Sequence, residues 1–401
     1  MKKYWFVLIM VLYCSFSASA QRLIIGDSAS LSLITCSPGP EVYAKFGHTA
    51  IRLVDPSKRM DIVFNYGIFN FDTPNFYLKF IKGETDYQIG AYDTFYFLPE
   101  YKERNSQVTE QVLNLTKEEK QRLVDALYLN LQPENKIYRY NFIFDNCATR
   151  PRDKILEVIN EKLEYKSDVE QKSFREWIGV YTGENSWVKF GIDLLLGKDA
   201  DALASRWFAM FLPEILCREF GSVELSSNDG TKRPLVSSTK ILISKTVDET
   251  KKTGLFDKPV TVTLVVLFIA VIFFIFEKKR KKYYKIIDSF LLIVTGLVGV
   301  IIFYLMFFSV HPLVKSNFNI LWCNPLNLLV GIFLWNRKIR SIINYFQIAN
   351  VMLFLGALII WVLSVQSINL ASVPLIILLL IRSIYWVVKK SGKRHAVRTK
   401  Y

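Results

Sequence analysis

Two side chains carry most of the chemistry this sequence offers. His48 lies in Phe46-Gly47-His48-Thr49-Ala50-Ile51-Arg52-Leu53, and Cys147 follows 99 residues later in Phe144-Asp145-Asn146-Cys147-Ala148-Thr149-Arg150. Of the chain's three histidines, only His48 precedes the strongly apolar C-terminal half. A thiol attacks as its thiolate, and an imidazole is the base best suited to forming one near neutral pH. A lone cysteine is most often a small buried hydrophobe, so the pair gains meaning only from the elements that position it.

Asp145 and Asn146 are good helix caps, and Pro151 is tolerated in a first helical turn. Cys147 is therefore predicted at or near a helix N-terminus, where the dipole and free backbone N–H groups favour a thiolate and can hold an oxyanion. His48 opens a predicted strand, His48–Val54, flanked by the small residues Gly47 and Ala50. Ser30–Thr35 precedes it as a strand, Asp55-Pro56-Ser57-Lys58 reads as a turn, and Asp61–Tyr66 as a third strand. A third polar group should fix the imidazole's tautomer, and Asn65 or, less well, Asp61 is placed to do so. Thr116 and Glu119 form a capping-box pattern opening a helix through Leu131. Beyond Cys147, Ile155, Leu156 and Ile159 share a helical face. Asp199–Phe220 reads as one further amphipathic helix, whose Trp207, Phe208, Phe211 and Leu212 suit either core packing or a lipid surface.

The chain's two ends give its address. Lys2 and Lys3, an apolar run from Tyr4 to Phe16 and Ala18-Ser19-Ala20 read as a secretory signal over residues 1–20, with Gln21 as the mature start; the alternative is an uncleaved anchor helix. Residues 21–247 are then one periplasmic Cys/His domain, 248–258 a polar linker, 259–388 a membrane domain and 389–401 a basic cytoplasmic tail. Five apolar stretches, Val260–Phe276, Ile286–Phe308, Ile320–Trp335, Ile342–Leu363 and Ile368–Val388, each approach the ~20 residues a spanning helix needs. Between and after them, Glu277–Lys285, Arg337–Arg340 and Lys389–Tyr401 hold six, three and six Lys or Arg, whereas the other loops hold only Lys315. That alternation puts the basic segments in the cytoplasm and the N-terminal domain outside, as the signal requires.

The formal charge of +15 is therefore topological. The basic segments account for it, leaving the soluble domain slightly acidic, which argues against a nucleic-acid partner. Cys36, Cys147 and Cys217 lie in the soluble domain and Cys323 near the outer end of the third stretch. In an oxidising compartment a Cys36–Cys217 disulfide would leave Cys147 free. Without a C-x-x-C, a redox or zinc-ribbon role has little support. The external loop around His311, Asn317, Trp322 and Asn324 is a candidate substrate-binding surface for a lipid headgroup or an amine, with Trp322 at headgroup level; its plainer reading is loop structure and capping. In the fourth stretch Asn344, Gln347 and Asn350 recur every three residues, which suits interhelical hydrogen bonding. Asp288 and Arg382 are placed to snorkel at cytoplasmic ends.

A His-bearing strand followed by a helix-starting Asn-Cys resembles the circularly permuted papain-like fold of the NlpC/P60 and lecithin–retinol acyltransferase groups. More closely, the sequence resembles the Lnb family, lipoprotein N-acyltransferases of Bacteroides-type bacteria. The likeness rests on F-G-H-T-A-I-R-L at Phe46–Leu53, F-N-Y-G-I-F-N-F at Phe64–Phe71 and Y-N-F-I-F-D-N-C-A-T-R-P-R-D at Tyr140–Asp153, with F-L-P-E at Phe211–Glu214 and P-L-V at Pro234–Val236. It implies an α+β permuted papain-like (NlpC/P60-type) domain followed by five transmembrane helices. It implies Cys147 as nucleophile, His48 as base and no metal or soluble cofactor. Many NlpC/P60 relatives orient the base with a second histidine; this soluble domain has none, and Asn65 takes that place. The implied reaction moves an acyl chain from a membrane phospholipid, through a Cys147 thioester, to the N-terminal amine of a diacylated lipoprotein. The rivals are a membrane-tethered cysteine peptidase or amidase acting on cell-wall peptide, and a non-catalytic envelope scaffold.

Overall fold

The computed structural model describes residues 22–69, 72–168, 170–246 and 254–398, with side chains through Lys389. The expected signal segment and most of the expected linker lie outside these residues. The soluble part is built from strands β1 Ser30–Cys36, β2 His48–Asp55, β3 Met60–Ile68, β4 Asp86–Asp93, β5 Val108–Leu113, β6 Ile137–Arg139, β7 Lys162–Tyr165, β8 Val223–Ser226, β9 Lys232–Pro234 and β10 Val236–Ile243. Its helices are α1 Phe76–Lys82, α2 Thr94–Glu103, α3 Lys117–Asn130, α4 Thr149–Glu157, α5 Phe174–Thr182, α6 Trp187–Leu195, α7 Arg206–Ala209 and α8 Pro213–Ser222. Seven strands form an antiparallel sheet in the order β10-β5-β1-β2-β3-β4-β6, and β7-β8-β9 form a small second sheet.

Period-two alternation sorts the central strands onto two cores. Leu33, Ile51 and Phe64 face a core shared with α3, α4 and α8. Ile34, Ala50 and Val63 face a second core against Phe97 and Tyr101 of α2. The three strands expected around His48 are all present, each a little longer than its sequence pattern. Thr116 caps α3 with both bonds of the capping box.

Asp199–Phe220 is not one helix. It breaks into a 3-10 turn at Lys198–Asp201 and two helices, α7 and α8. Ser205 caps the first of these helices and Pro213 sits in the first turn of the second, and proline cannot donate to the preceding turn. The break divides the aromatic stripe: Phe211 and Leu212 are buried, while Trp207 and Phe208 stay partly exposed.

The membrane part comprises α9 Pro259–Lys279, α10 Lys285–Phe308, α11 Leu326–Phe333, α12 Arg340–Val362 and α13 Ser372–Arg398. Among the described residues four helices are long and apolar enough to cross a membrane: α9, α10, α12 and the 372–389 portion of α13. The expected third span, 320–335, is not an uninterrupted helix. It is a 3-10 turn at Phe318–Leu321, a break at Trp322–Pro325 and the eight-residue α11. Asn324 and Pro325 make the break, because the Asn324 side chain accepts from the Leu326 N–H and proline lacks a donor. The segment still runs alongside α10: a Cβ at Gly299 would meet the Cys323 carbonyl, and Ser289 donates to the Gly331 carbonyl at 2.6 Å.

Arg382 and Asp288 do not snorkel. Arg382 is 5% exposed and pairs with Asp288 at 2.5 Å and with Glu277, itself fully buried. A guanidinium has enough donors to hold two carboxylates at once, so the three charges satisfy one another inside the bundle. Gln347 accepts from Ser383 and Asn350 donates to Asn327, as interhelical bonding predicts.

Candidate active site and its membrane contacts

The site begins with the β2–β3 register. Ala50 pairs with Asn65, so His48 and Asn65 share one face of the sheet as diagonal neighbours, and His48 stands across from Gly67. Gly47 adopts φ +76°, and a Cβ there would lie 2.5 Å from the Cys36 carbonyl. Only glycine fits this tight entry into the strand that aims His48.

Cys147 arrives from the start of α4. The Asn146 side chain accepts from the N–H groups of Ala148 and Thr149 at 2.8 and 2.9 Å, while its amide donates to the carbonyls of Phe142 and Phe211. Asn146 is thus the cap, and it uses two of the N–H groups expected to be free for an oxyanion; the N–H of Cys147 itself is not among those it binds. Asp145 holds Arg150 through two bonds of 2.6 and 2.8 Å, and Arg152 pairs with Asp153. These ion pairs brace the helix start.

The two elements meet over Gly67. The place a Cβ would occupy on Gly67 lies 3.4 Å from Cys147 Cβ and 3.9 Å from His48 Cε1. Gly67 has φ +93°, so this strand position leaves both the space and the backbone angle that the pair needs. His48 and Cys147 thus face each other across this gap, close enough for each to act on the other's charge. On the other side of the ring, His48 Nε2 lies 2.6 Å from Asn65 Oδ1, and Asn65 Nδ2 donates to the Tyr92 hydroxyl at 2.6 Å. Asp61 is not a partner: Arg52 and Thr94 occupy its carboxylate.

Electrostatics follow this geometry. Burial pushes the Cys147 thiol up, but the facing His48, its hydrogen bond and the N–H groups of Thr49 and Cys147 outweigh burial and bring it below the usual thiol value. Burial disfavours a charged His48, yet the Cys147 thiolate and the bonds to Cys147 and Asn65 raise it above the usual imidazole value. Both shifts favour charge separation into a thiolate and an imidazolium, and both side chains retain partial solvent access. Tyr87 and Tyr140 border it, with rings stacked at 4.1 Å; burial first, and then the Cys147 thiolate, raises both hydroxyls, Tyr87 to about 12.

The expected Cys36–Cys217 disulfide is absent, and both thiols are free. Cys36 packs with Ile34 against α2, whereas α8, which carries Cys217, packs with Leu33 on the side that Thr35 faces. Thr35 and Cys36 are consecutive in β1 and point to opposite faces of the sheet, which keeps the two sulfurs apart.

The loop expected to bind substrate fastens the two parts of the chain together. Asn317 donates to the Leu194 carbonyl at 2.8 Å, and Asn319 to the Asp193 carbonyl at 3.1 Å while accepting from Trp322 Nε1. Asn369 reaches the Asp193 carboxylate, which also binds Lys189 and Arg175. Trp322 is 2% exposed, packed among the helices with its Nε1–H on Asn319. Asn324 caps the Leu326 N–H. His311 donates from Nε2 to the Phe80 carbonyl at 2.7 Å, joining α1 to the outer end of α10.

Sequence reasoning missed Tyr92, Gly67 and the Asp193 cluster. A glycine inside an alternating strand signals close approach of another element, and Asn65-Tyr66-Gly67 carried that signal; nothing local marks Asp193.

A family model described as the Lnb N-terminal periplasmic domain matches residues 16–179, and one described as the Lnb transmembrane domain matches residues 249–394. No curated protein and no solved structure shows significant similarity to the chain. The His-bearing strand and the Asn-Cys helix start fall within the first match and the membrane helices within the second, between them covering most of the sequence, and the chain belongs to the Lnb family.

Proposed function

We propose that this chain is a lipoprotein N-acyltransferase working at the outer face of the inner membrane, with Cys147 as nucleophile, His48 as acid–base and Asn65 as the group that orients His48. The observation that carries the reading is the Cys147–His48–Asn65 line, set in a domain whose α6 is hydrogen-bonded to the outer loops of a lipid-spanning bundle.

The Cys147 thiolate attacks an ester carbonyl of a phospholipid, forming a C–S bond and a tetrahedral oxyanion that the backbone N–H groups beside the sulfur, those of Cys147 and Thr49, are available to hold. As the C–O bond breaks, imidazolium His48 gives its proton to the departing glycerol oxygen, releasing a lysophospholipid. The α-amine of a diacylated lipoprotein's N-terminal cysteine then attacks the thioester. His48 takes the amine proton, the C–S bond breaks, and Cys147 leaves as thiolate. Anchoring donor and acceptor in one bilayer raises their effective concentration at the site.

Incubation with phospholipid carrying a radiolabelled acyl chain tests the reading. Hydroxylamine-labile label on the wild type that is absent from Cys147→Ser supports it. Cleavage of cell-wall peptide without lipid labelling would replace it with the hydrolase reading. A chain that does neither, and whose Cys147→Ala form sustains normal lipoprotein acylation in cells, is a scaffold.

A further inference from the structure

Helix α1 presents the wrong face to water. Of its residues Phe76 is buried, whereas Tyr77, Leu78, Phe80 and Ile81 are 73, 62, 50 and 45% exposed. A contiguous apolar face on a short surface helix marks contact with something apolar, and its position says what. The Val310 N–H donates to the Lys82 carbonyl at 2.8 Å and His311 donates to the Phe80 carbonyl, so α1 is fastened two to three residues beyond the end of α10. The last turn of α10 exposes Phe307 and Phe308, followed by exposed Val310. The lipid-facing surface of a span therefore continues onto the open face of α1. Lys79 and Lys82 lie on the same helix, where lysine stems can reach phosphate headgroups.

From this helix a ladder of rings runs inward. Phe80 stacks with Phe76 at 6.1 Å, Phe76 with Phe69 at 6.1 Å, Phe69 meets Tyr87 at 5.1 Å and Tyr87 stacks on Tyr140 at 4.1 Å. Tyr140 opens the segment that ends in Cys147, and β4, which carries Tyr87, pairs with the end of β3 beside Gly67.

We propose that α1 is an interfacial helix seated in the outer phospholipid leaflet, and that the Phe80–Phe76–Phe69–Tyr87–Tyr140 ladder is the apolar path by which a lipid acyl ester reaches Cys147. The placement of α1 stands on its own; the path rests on the acyl-transfer reading. An apolar track suits this cargo because an acyl chain leaving the bilayer would otherwise expose its methylenes to water, at about 0.8 kcal/mol each.

Two measurements on the full chain in vesicles of phosphatidylethanolamine and phosphatidylglycerol test it. A phospholipid with a diazirine in its acyl chain, photolysed and read by peptide mass spectrometry, is expected to label residues 77–81 as well as α9. Label on α9 with none on α1 overturns the placement. Paired substitution Leu78→Glu with Ile81→Glu is expected to slow thioester formation from vesicle phospholipid at least about tenfold, given the apolar area withdrawn from lipid. Phe69→Ala is expected to slow it too, and by a larger factor than it slows acylation of Cys147 by the soluble ester p-nitrophenyl acetate. Unaltered thioester formation in both variants overturns the path. If wild-type protein forms no thioester from lipid, the acyl-transfer reading fails, and the crosslinking still decides where α1 sits.

Discussion

Asn65 Oδ1 lies 2.6 Å from His48 Nε2, and this bond fixes which ring nitrogen faces Cys147. The Asn65 amide is itself oriented, because its Nδ2 donates to the Tyr92 hydroxyl. Its carbonyl oxygen must then accept from Nε2–H, leaving Nδ1 for the sulfur. Asn65→Ala should lower kcat about 10- to 100-fold, part of the roughly 10²–10⁴ that a positioned acid–base group supplies. Tyr92→Phe should cost less, since it loosens the amide without removing it. Single-turnover thioester formation reads both, and equal rates for Asn65→Ala and the wild type would remove Asn65 from the site.

The coupled titration of Cys147 and His48 sets the pH profile. Cys147 titrates below the usual thiol value, so the nucleophile is lost as pH falls through that lowered value. His48 titrates above the usual imidazole value, so the leaving-group acid is lost as pH rises through that raised value. Thioester formation should be bell-shaped, with its acid limb governed by the thiolate; the two apparent values belong to the coupled pair. In His48→Ala the thiol keeps its burial and loses its main counter-charge. Iodoacetamide alkylation at neutral pH should therefore fall at least about tenfold, the ratio one pKa unit makes in thiolate fraction. An unchanged alkylation rate would show that His48 does not activate the sulfur.

Asn319 links the carbonyls of Asp193 and Leu194 to Trp322 Nε1. Asn319→Leu should destabilise the chain by about 1–3 kcal/mol, the usual result of stranding buried polar groups. Asn324→Ala removes only a local cap and should cost about 1 kcal/mol or less. Thermal unfolding in detergent compares them. If the two midpoints coincide, Asn319 does not fasten the two domains.

Arg382 pairs with both Glu277 and Asp288 inside the bundle. Arg382→Leu alone should cost about 3–5 kcal/mol by leaving two carboxylates without their counter-charge. Joining it with Glu277→Leu and Asp288→Leu should restore most of the loss. Accumulation in membranes together with the thermal midpoint checks this, and failure of the triple variant to recover would mean that the ion cluster does more than balance its own charge.

The sequence by itself determined what is written locally. Strand alternation around His48, the Thr116 capping box, the helix start at Cys147 and the apolar stretches all appear near their expected places. Each depends on neighbours a few residues apart, through side-chain periodicity or a cap. Expectations failed where distant groups compete for the same atoms. Pro213 and Ser205 divide the expected Asp199–Phe220 helix, and Asn324 and Pro325 divide the third apolar stretch, while Asn317 and Asn319 just before it bond to α6. Asp61 is the lesser candidate beside Asn65 by position in the chain, and Arg52 occupies its carboxylate. Only tertiary structure decided that Cys147 and His48 meet over Gly67, that Cys36 and Cys217 lie on opposite faces of one sheet, and that the outer loops hold α6. These depend on strand register and on which of several equally suitable polar partners lies within about 3 Å, and no local pattern in the chain encodes that choice.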